Sequence, residues 1–196
     1  MSKINFSFNG AEYSVPKIVL DSLFEKMDKA FKALNYSIGL EYTSNGDGTC
    51  AVTGIGECTD TDVIVPAVSP NGDRVTEIGE DAFYQGNFTS FTIPDSVTKL
   101  SSLAFDECTA VKSITLGNSI TIISSSALFY CNGLTEIIIP VSVTTIESSA
   151  FEQCMALSNL TFAGTVAQWN AIEKGNTIAP LCPVTYVQCL DGTVEL

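Results

Sequence analysis

The 196-residue chain contains no histidine. That absence removes Ser-His and Cys-His catalysis, histidine metal sites and a histidine pH switch. Basic residues are scarce: nine Lys and Arg stand against 22 Asp and Glu, a formal net charge of −13. Such a balance opposes binding to nucleic acid or an anionic lipid surface. No apolar run approaches the ~20 residues of a membrane helix. None follows a basic start in the manner of a secretory signal; Lys3 leads into INFSFNG, and Ile18–Leu20 stops at Asp21. The chain as given is therefore expected to be neither inserted in a membrane nor Sec-exported. No nucleophile–base pair, phosphate loop or metal-ligand cluster occurs, so no catalytic residue, metal or cofactor is expected. Only 16% of residues are charged and 45% are hydrophobic, which argues against disorder.

What the chain has in quantity is a period, the first thing to seek in any sequence. Cys108, Cys131 and Cys154 are spaced 23 apart. Val97, Ile120 and Val143 keep that interval, as do Leu100, Ile123 and Ile146, and Ala104, Ala127 and Ala150. Val111, Leu134 and Leu157 follow, then Ile114, Ile137 and Leu160, then Leu116, Ile139 and Phe162. An earlier copy runs through Val75, Ile78, Ala82, Phe83, Phe88, Phe91 and Ile93, with Gly86 at the cysteine position. Its first half is offset from the next copy by 22 and its second half by 23, so one residue is missing between Gly86 and Phe88. A degenerate copy precedes it: DVIVP at Asp62–Pro66 parallels FTIPD at Phe91–Asp95, and its turn is lengthened by PAVSPNGDR.

Each unit has two halves. Val111-Lys112-Ser113-Ile114-Thr115-Leu116 alternates as a strand does. Pro94, Gly117 and Pro140 end such strands, because proline has no N–H for a continuing ladder. The second half, as in SVTTIESSAFEQC, is expected to turn the chain back with Ala, Phe and Cys inward. One unit cannot bury enough apolar surface to offset the ordering of its own backbone. Units must therefore stack, and both ends must be capped.

The stretch SITLGNSITIISSSALFYCNGLTEIIIPVSVTTIESSAFEQCMALSNLTF resembles the BspA-like, bacterial surface antigen type, leucine-rich repeats, over roughly residues 62–162. The tail GTVAQWNAI with VQCLDGTV is similar to segments that close such arrays. With the helix read from the N-terminal residues themselves, the fold class is mostly β with a helical N-terminal segment, and the resemblance implies a right-handed leucine-rich-repeat solenoid capped at both ends. It also implies a curved body of the kind found on microbial cell surfaces, tied to adhesion and to protein or glycan recognition.

Residues 4–15 (INFSFNGAEYSV) alternate and carry Asn9-Gly10, a hairpin signal. Pro16 suits a helix first turn, and Leu20, Phe24, Met27, Phe31 and Leu34 follow at intervals of 4, 3, 4 and 3 as one apolar stripe. Two roles stay open for the stripe: packing on the hairpin or first coil, or self-association and docking in a homo-oligomer or assembly. Residues 1–40 hold five lysines against four carboxylates, so the remainder carries −14, which marks a boundary near residue 40. Three regions result: a hairpin and helix over 1–40 as anchor or cap, a solenoid over 41–162, and a C-terminal cap over 163–196. Leu40–Gly54 reads as a second hairpin, turning at Asn45-Gly46-Asp47-Gly48, that shields the first coil. Asn45 and Asp47 lack the rest of a calcium loop and read as turn chemistry. Asp60 and Asp62 share a strand face and read as a solvated edge, not an acid–base pair. Trp169 is expected to cover the last coil.

Seven cysteines leave at least one unpaired. Stacked coils set Cys108, Cys131 and Cys154 in a line at steps of ~4.8 Å. A tetrahedral zinc needs sulfurs converging at roughly 3.8 Å from one another. Buried free thiols are therefore expected; Cys50 with Cys58, or Cys182 with Cys189, can pair only in an oxidising compartment.

Polar residues between the strand's apolar ones stack into outward rows. One row is Ser90, Ser113, Glu136 and Asn159; its neighbour is Thr92, Thr115, Ile138 and Thr161. This face, expected to be concave, is the candidate binding surface for a protein or glycan, with Ile138 and Ile122 as apolar breaks in polar rows. Two functions compete. One is a non-catalytic binding and adhesion module. The other is a structural subunit of an assembly such as a phage virion, anchored by residues 1–40 with the solenoid projecting. Without a leader in view, the expected location is cytoplasmic or virion-associated, although the resembled family is usually at the cell surface.

Overall fold

The computed structural model describes residues 3–8, 11–16 and 36–196. The chain divides into two compact units, residues 1–38 and 39–196. In the first, β1 (Lys3–Phe8) and β2 (Ala11–Pro16) pair antiparallel, Lys3 opposite Pro16 and Phe8 opposite Ala11. The strand ends fall on either side of Asn9-Gly10, which lies outside the described residues. Pro16 is the last residue of β2; the helix expected to follow it lies outside the described residues. A strand's last residue need not donate to the ladder, so the ring is tolerated there. Leu20, Phe24, Met27, Phe31 and Leu34 lie outside the described residues.

The second unit begins with a hairpin, β3 (Glu41–Ser44) and β4 (Thr49–Gly54). Its turn satisfies itself. Asn45 N–H donates to Thr49 O at 2.9 Å, and Thr49 N–H and Oγ1 both donate to Asp47 Oδ1, at 3.0 and 2.6 Å. From β4 onward the chain winds, and each turn lends a strand to each of two sides. On the first side stand β5 (Asp62–Ile64), β7 (Ser90–Thr92), β9 (Ser113–Thr115), β11 (Glu136–Ile139), β13 (Asn159–Phe162) and β15 (Tyr186–Cys189). On the second stand β6 (Arg74–Ile78), β8 (Lys99–Leu100), β10 (Ile122–Ile123), β12 (Thr145–Ile146) and β14 (Glu173–Lys174). Ladders between successive turns are parallel, and β16 (Gly192–Glu195) folds back antiparallel on β15 to close the first side. Residues 163–196 thus supply a further turn of irregular sequence, β14 and β15, before that closure.

The second sheet escapes a reading by alternation, since a two-residue strand has no period to show. Its edge is stitched by threonines. Thr98, Thr121 and Thr144 each donate N–H and Oγ1 to the carbonyl of the threonine one turn earlier, with N···O of 2.8–2.9 Å and Oγ1···O of 3.1–3.2 Å.

A third side is made of turns. Asp81, Leu103, Ser126 and Ser149 occupy one repeat position and Gln85, Glu107, Tyr130 and Gln153 another, all at φ of 52 to 61°. Left-handed backbone costs an L-residue about 1–2 kcal/mol. Here it aims N–H groups along the stack: Gln85, Glu107 and Tyr130 donate to Asp106, Phe129 and Glu152 carbonyls at 2.8–3.0 Å. The strain is offset by these bonds, each worth about 1 kcal/mol net.

Inside, Leu100, Ile123 and Ile146 lie over one another, as do Ala104, Ala127 and Ala150, all without solvent exposure. Cys108, Cys131 and Cys154 point inward and are fully buried. Their thiols donate to the Phe83, Phe105 and Leu128 carbonyls at 3.0, 3.2 and 3.0 Å. Cys182 adds a fourth step, its thiol 2.8 Å from Phe151 O. Cys50, Cys108, Cys131, Cys154, Cys182 and Cys189 form no disulfide. Burial pushes the Cys108 thiol up to about 12. The residue missing from the first full copy is explained by Phe88. Its ring occupies the cysteine space, so that a Cβ on Gly86 would lie 2.2 Å from Phe88 Cε1. Phe83, Phe88, Phe91 and Phe105 form one aromatic cluster there, with centroids 4.6–6.4 Å apart.

At the far end, α1 (Val166–Ala171) opens on a capping box between Thr165 and Gln168. Its Trp169 is 1% exposed and lies 5.5 Å from the Phe162 ring, covering the coil as expected. Lys174 Nζ sits 5.0 Å over the indole and donates to the Trp169 and Ile172 carbonyls at 2.6 and 2.9 Å, which holds the helix end in place.

Candidate functional site

The first side carries the residues singled out for binding. Pairing aligns Asp62 with Ser90 and Ser113, and Ile64 with Thr92 and Thr115. Farther along, Glu136 aligns with Asn159, and Ile138 with Thr161 and Gln188. β9 and β11 are neighbours, so the two ladders run on as one face. The eight predicted residues therefore share a surface. Ser113, Thr115, Glu136 and Asn159 are exposed, and Ser90, Thr92 and Thr161 are half-buried. Ile138 stands out at 61% exposure, with Thr161 at its register position in β13.

Three members of the face were not singled out from sequence. Asp62 accepts from Ser90 Oγ at 2.7 Å and so extends the polar row to the first turn. Gln188 continues the threonine row, and Tyr186, 48% exposed, stands in the same strand. The alternation of Tyr186-Val187-Gln188-Cys189, exposed and buried by turns, is the signal that was available. The surface offers hydroxyls, the amides of Asn159 and Gln188, the carboxylates of Asp62 and Glu136, and an apolar point at Ile138. Its exposed side chains can donate and accept hydrogen bonds around Ile138.

Ile122 lies elsewhere. It is half-buried on the second sheet, in register between Lys99 and Thr145. Beside it Lys99 Nζ pairs with Glu77 Oε1 at 3.1 Å, and Ser101 Oγ donates to the same oxygen, so the charges there are already partnered. Among the described residues, no three His, Cys, Asp or Glu side chains gather to hold a metal ion, and no helix is long and apolar enough to cross a membrane.

The BspA type leucine rich repeat region matches residues 72–174 in six copies. A leucine rich repeat protein of T. pallidum is similar in structure, with a TM-score of 0.62 and 24% identity over 72% of this chain and 62% of that one. This chain thus spans less than two thirds of that protein. A leucine-rich repeat protein from Bacteroides capillosus aligns with a TM-score of 0.51 and 34% identity over 55% of this chain and 84% of its own. One from Bacteroides ovatus aligns with a TM-score of 0.52 and 20% identity, covering 76% of this chain and 45% of that chain. No curated protein matches the chain.

Proposed function

We propose that this chain, which belongs to the BspA-type leucine rich repeat family, is an adhesin-like module that recognises a protein partner along the outward face of its first side. Repeats of this kind are generally non-catalytic interaction modules, and the residues here give no reason to assign a reaction. One observation carries the choice of face: Ile138, 61% exposed, projects from a strand row that is otherwise Thr92, Thr115, Thr161 and Gln188. Lone exposed apolar residues are ordinary on surfaces. This one is flanked by hydroxyls and an amide able to fix a partner's orientation, the arrangement of an apolar anchor with a polar surround. The net charge of −13 favours a neutral or basic partner and makes its association rate fall with salt.

A panel of surface and matrix proteins, with a glycan array beside it, tests the reading. A bound protein should lose at least tenfold in affinity with Ile138→Arg or Thr115→Arg. It should keep its affinity with Tyr130→Ala on the turn side. The reverse pattern would move the site to the turns. Binding to glycans alone would replace the partner class.

A further inference from the structure

The stacked thiols do not all share one environment. Cys108, Cys131 and Cys154 are fully buried, whereas Cys182, the fourth step, is only half-buried. The backbone sets it directly beside Cys154. Phe151 N–H donates to Ile178 O at 2.8 Å and Gln153 N–H to Pro180 O at 3.0 Å, so Cys154 and Cys182 follow the same rung. Adjacent strands of stacked turns run about 4.8 Å apart. A disulfide takes Cα atoms roughly 4.4–6.8 Å apart. The side chains meet as well. The Cys182 thiol is in hydrogen-bond contact with the Cys154 thiol, and that thiol with Cys131. Cys182 also donates to Phe151 O at 2.8 Å, which turns its sulfur toward the preceding turn.

Cys189, the partner that nearness in sequence offers to Cys182, stands elsewhere. It lies in β15 opposite Gly192 of β16 and is 4% exposed. Cys182 belongs to the third side, where Leu181 before it has a φ of 62°, the left-handed backbone of Gln153 and Tyr130. Of the four stacked thiols, then, Cys182 alone is less than fully buried, and the thiol it touches is Cys154. One cysteine can meet a reagent and the next stands behind it to resolve the product.

We infer that Cys182 and Cys154 are a redox-closed pair that staples the last turn to the array, with a low-molecular-weight disulfide, RSSR, as the oxidant. The Cys182 sulfur attacks one sulfur of RSSR; a Cys182–S–SR bond forms, and the other half leaves as RSH with the thiol proton. The Cys154 sulfur then attacks the Cys182 sulfur, forms the Cys154–Cys182 bond and expels the second RSH with its own proton. Two protein thiols are oxidised and one small disulfide is reduced to two thiols. Cys108 and Cys131, deeper in the row, stay reduced. The cross-link restricts the unfolded chain and so stabilises the folded array. It is independent of the first-side face and of any partner there.

Oxidised glutathione on the native full chain tests the pair. The Cys154 hydrogen bond first, then burial, raise the Cys182 pKa, so exchange is slow at neutral pH and the incubation is run at about pH 8.5. Remaining thiols are alkylated, and an unreduced digest with Glu-C and chymotrypsin is mapped by mass spectrometry. A peptide pair joined through Cys154 and Cys182 should appear and vanish with dithiothreitol. The oxidised chain should melt higher by about 5 °C or more. Cys189→Ser should leave the link in place, Cys182→Ser should abolish it, and Cys154→Ala should trap glutathione on Cys182. Should Cys154→Ala or Cys182→Ser melt early, the map of the unsubstituted chain and Cys189→Ser decide. A Cys182–Cys189 link, a stable glutathione adduct on Cys182 with Cys154 still a thiol, or no reaction at Cys182 would overturn the assignment. So would a link formed without any rise in melting temperature, by showing that it staples nothing.

Discussion

Asp106 is a residue at which this fold works against a charge. Its Oδ1 is buried without a partner. Burial first, then Glu107 and Asp81, raise its pKa above the ordinary carboxylate value. A raised acid pKa means that the folded state prefers the protonated form. That preference contributes fully below the unfolded pKa and is lost as pH rises through the folded one. Asp106→Asn should therefore raise the melting temperature at pH 7 and change it little at pH 3, read by circular dichroism at the two pH values. The buried thiols make a second expectation. Cys108, Cys131 and Cys154 should resist maleimide in the native chain at pH 7 and react once it is unfolded, followed by mass spectrometry. Labelling of native Cys131 would contradict the packing. Backbone strain makes a third. Ser126 already bears the left-handed backbone penalty at φ 55°, so Ser126→Gly should stabilise by up to about 1 kcal/mol in urea unfolding and the β-branched Ser126→Val should destabilise further. The inward cysteines were legible in sequence, because matching positions of stacked turns share one environment. Cys182 was not, because a longer and irregular passage separates it from Cys154.

Within one turn, the exchange of a cysteine for an aromatic ring can be isolated. Phe88 fills the space that Cys108, Cys131 and Cys154 fill in later turns, and Gly86 is small because the ring is there. Gly86→Cys should destabilise by about 1–3 kcal/mol through overpacking. Gly86→Cys with Phe88→Val should cost less than the two changes summed, since each alone leaves a clash or a void that the other relieves. Strict additivity in denaturant unfolding would show that the two positions do not share one space. The first-side strands were legible from V-x-x-I-x-L, since buried and exposed residues alternate through β7, β9 and β11. The second-side strands were not. Two-residue β8, β10 and β12 exist because their neighbours in adjacent turns supply the hydrogen bonds, not because of a local pattern.

For the molecule as a whole, stability comes from stacking, so the ends matter most. Removing residues 163–196 would strip β15 from β13 and β14 from β12 and uncover Leu160 and Phe162, now 1% exposed. The shortened chain should self-associate and bind a hydrophobic dye, measured by size-exclusion chromatography and fluorescence. A monomer melting as sharply as the full chain would show that the last turn is dispensable. The sequence by itself determined the period, the inward set and the polar rows of the first side, because identical turns repeat their burial demands at one chain interval. Only the tertiary structure decided the third laddered side and the fourth thiol. The third side is set by backbone turns that no side-chain pattern marks, and the fourth thiol stands on a turn of unequal length, where distance along the chain no longer maps onto distance in space.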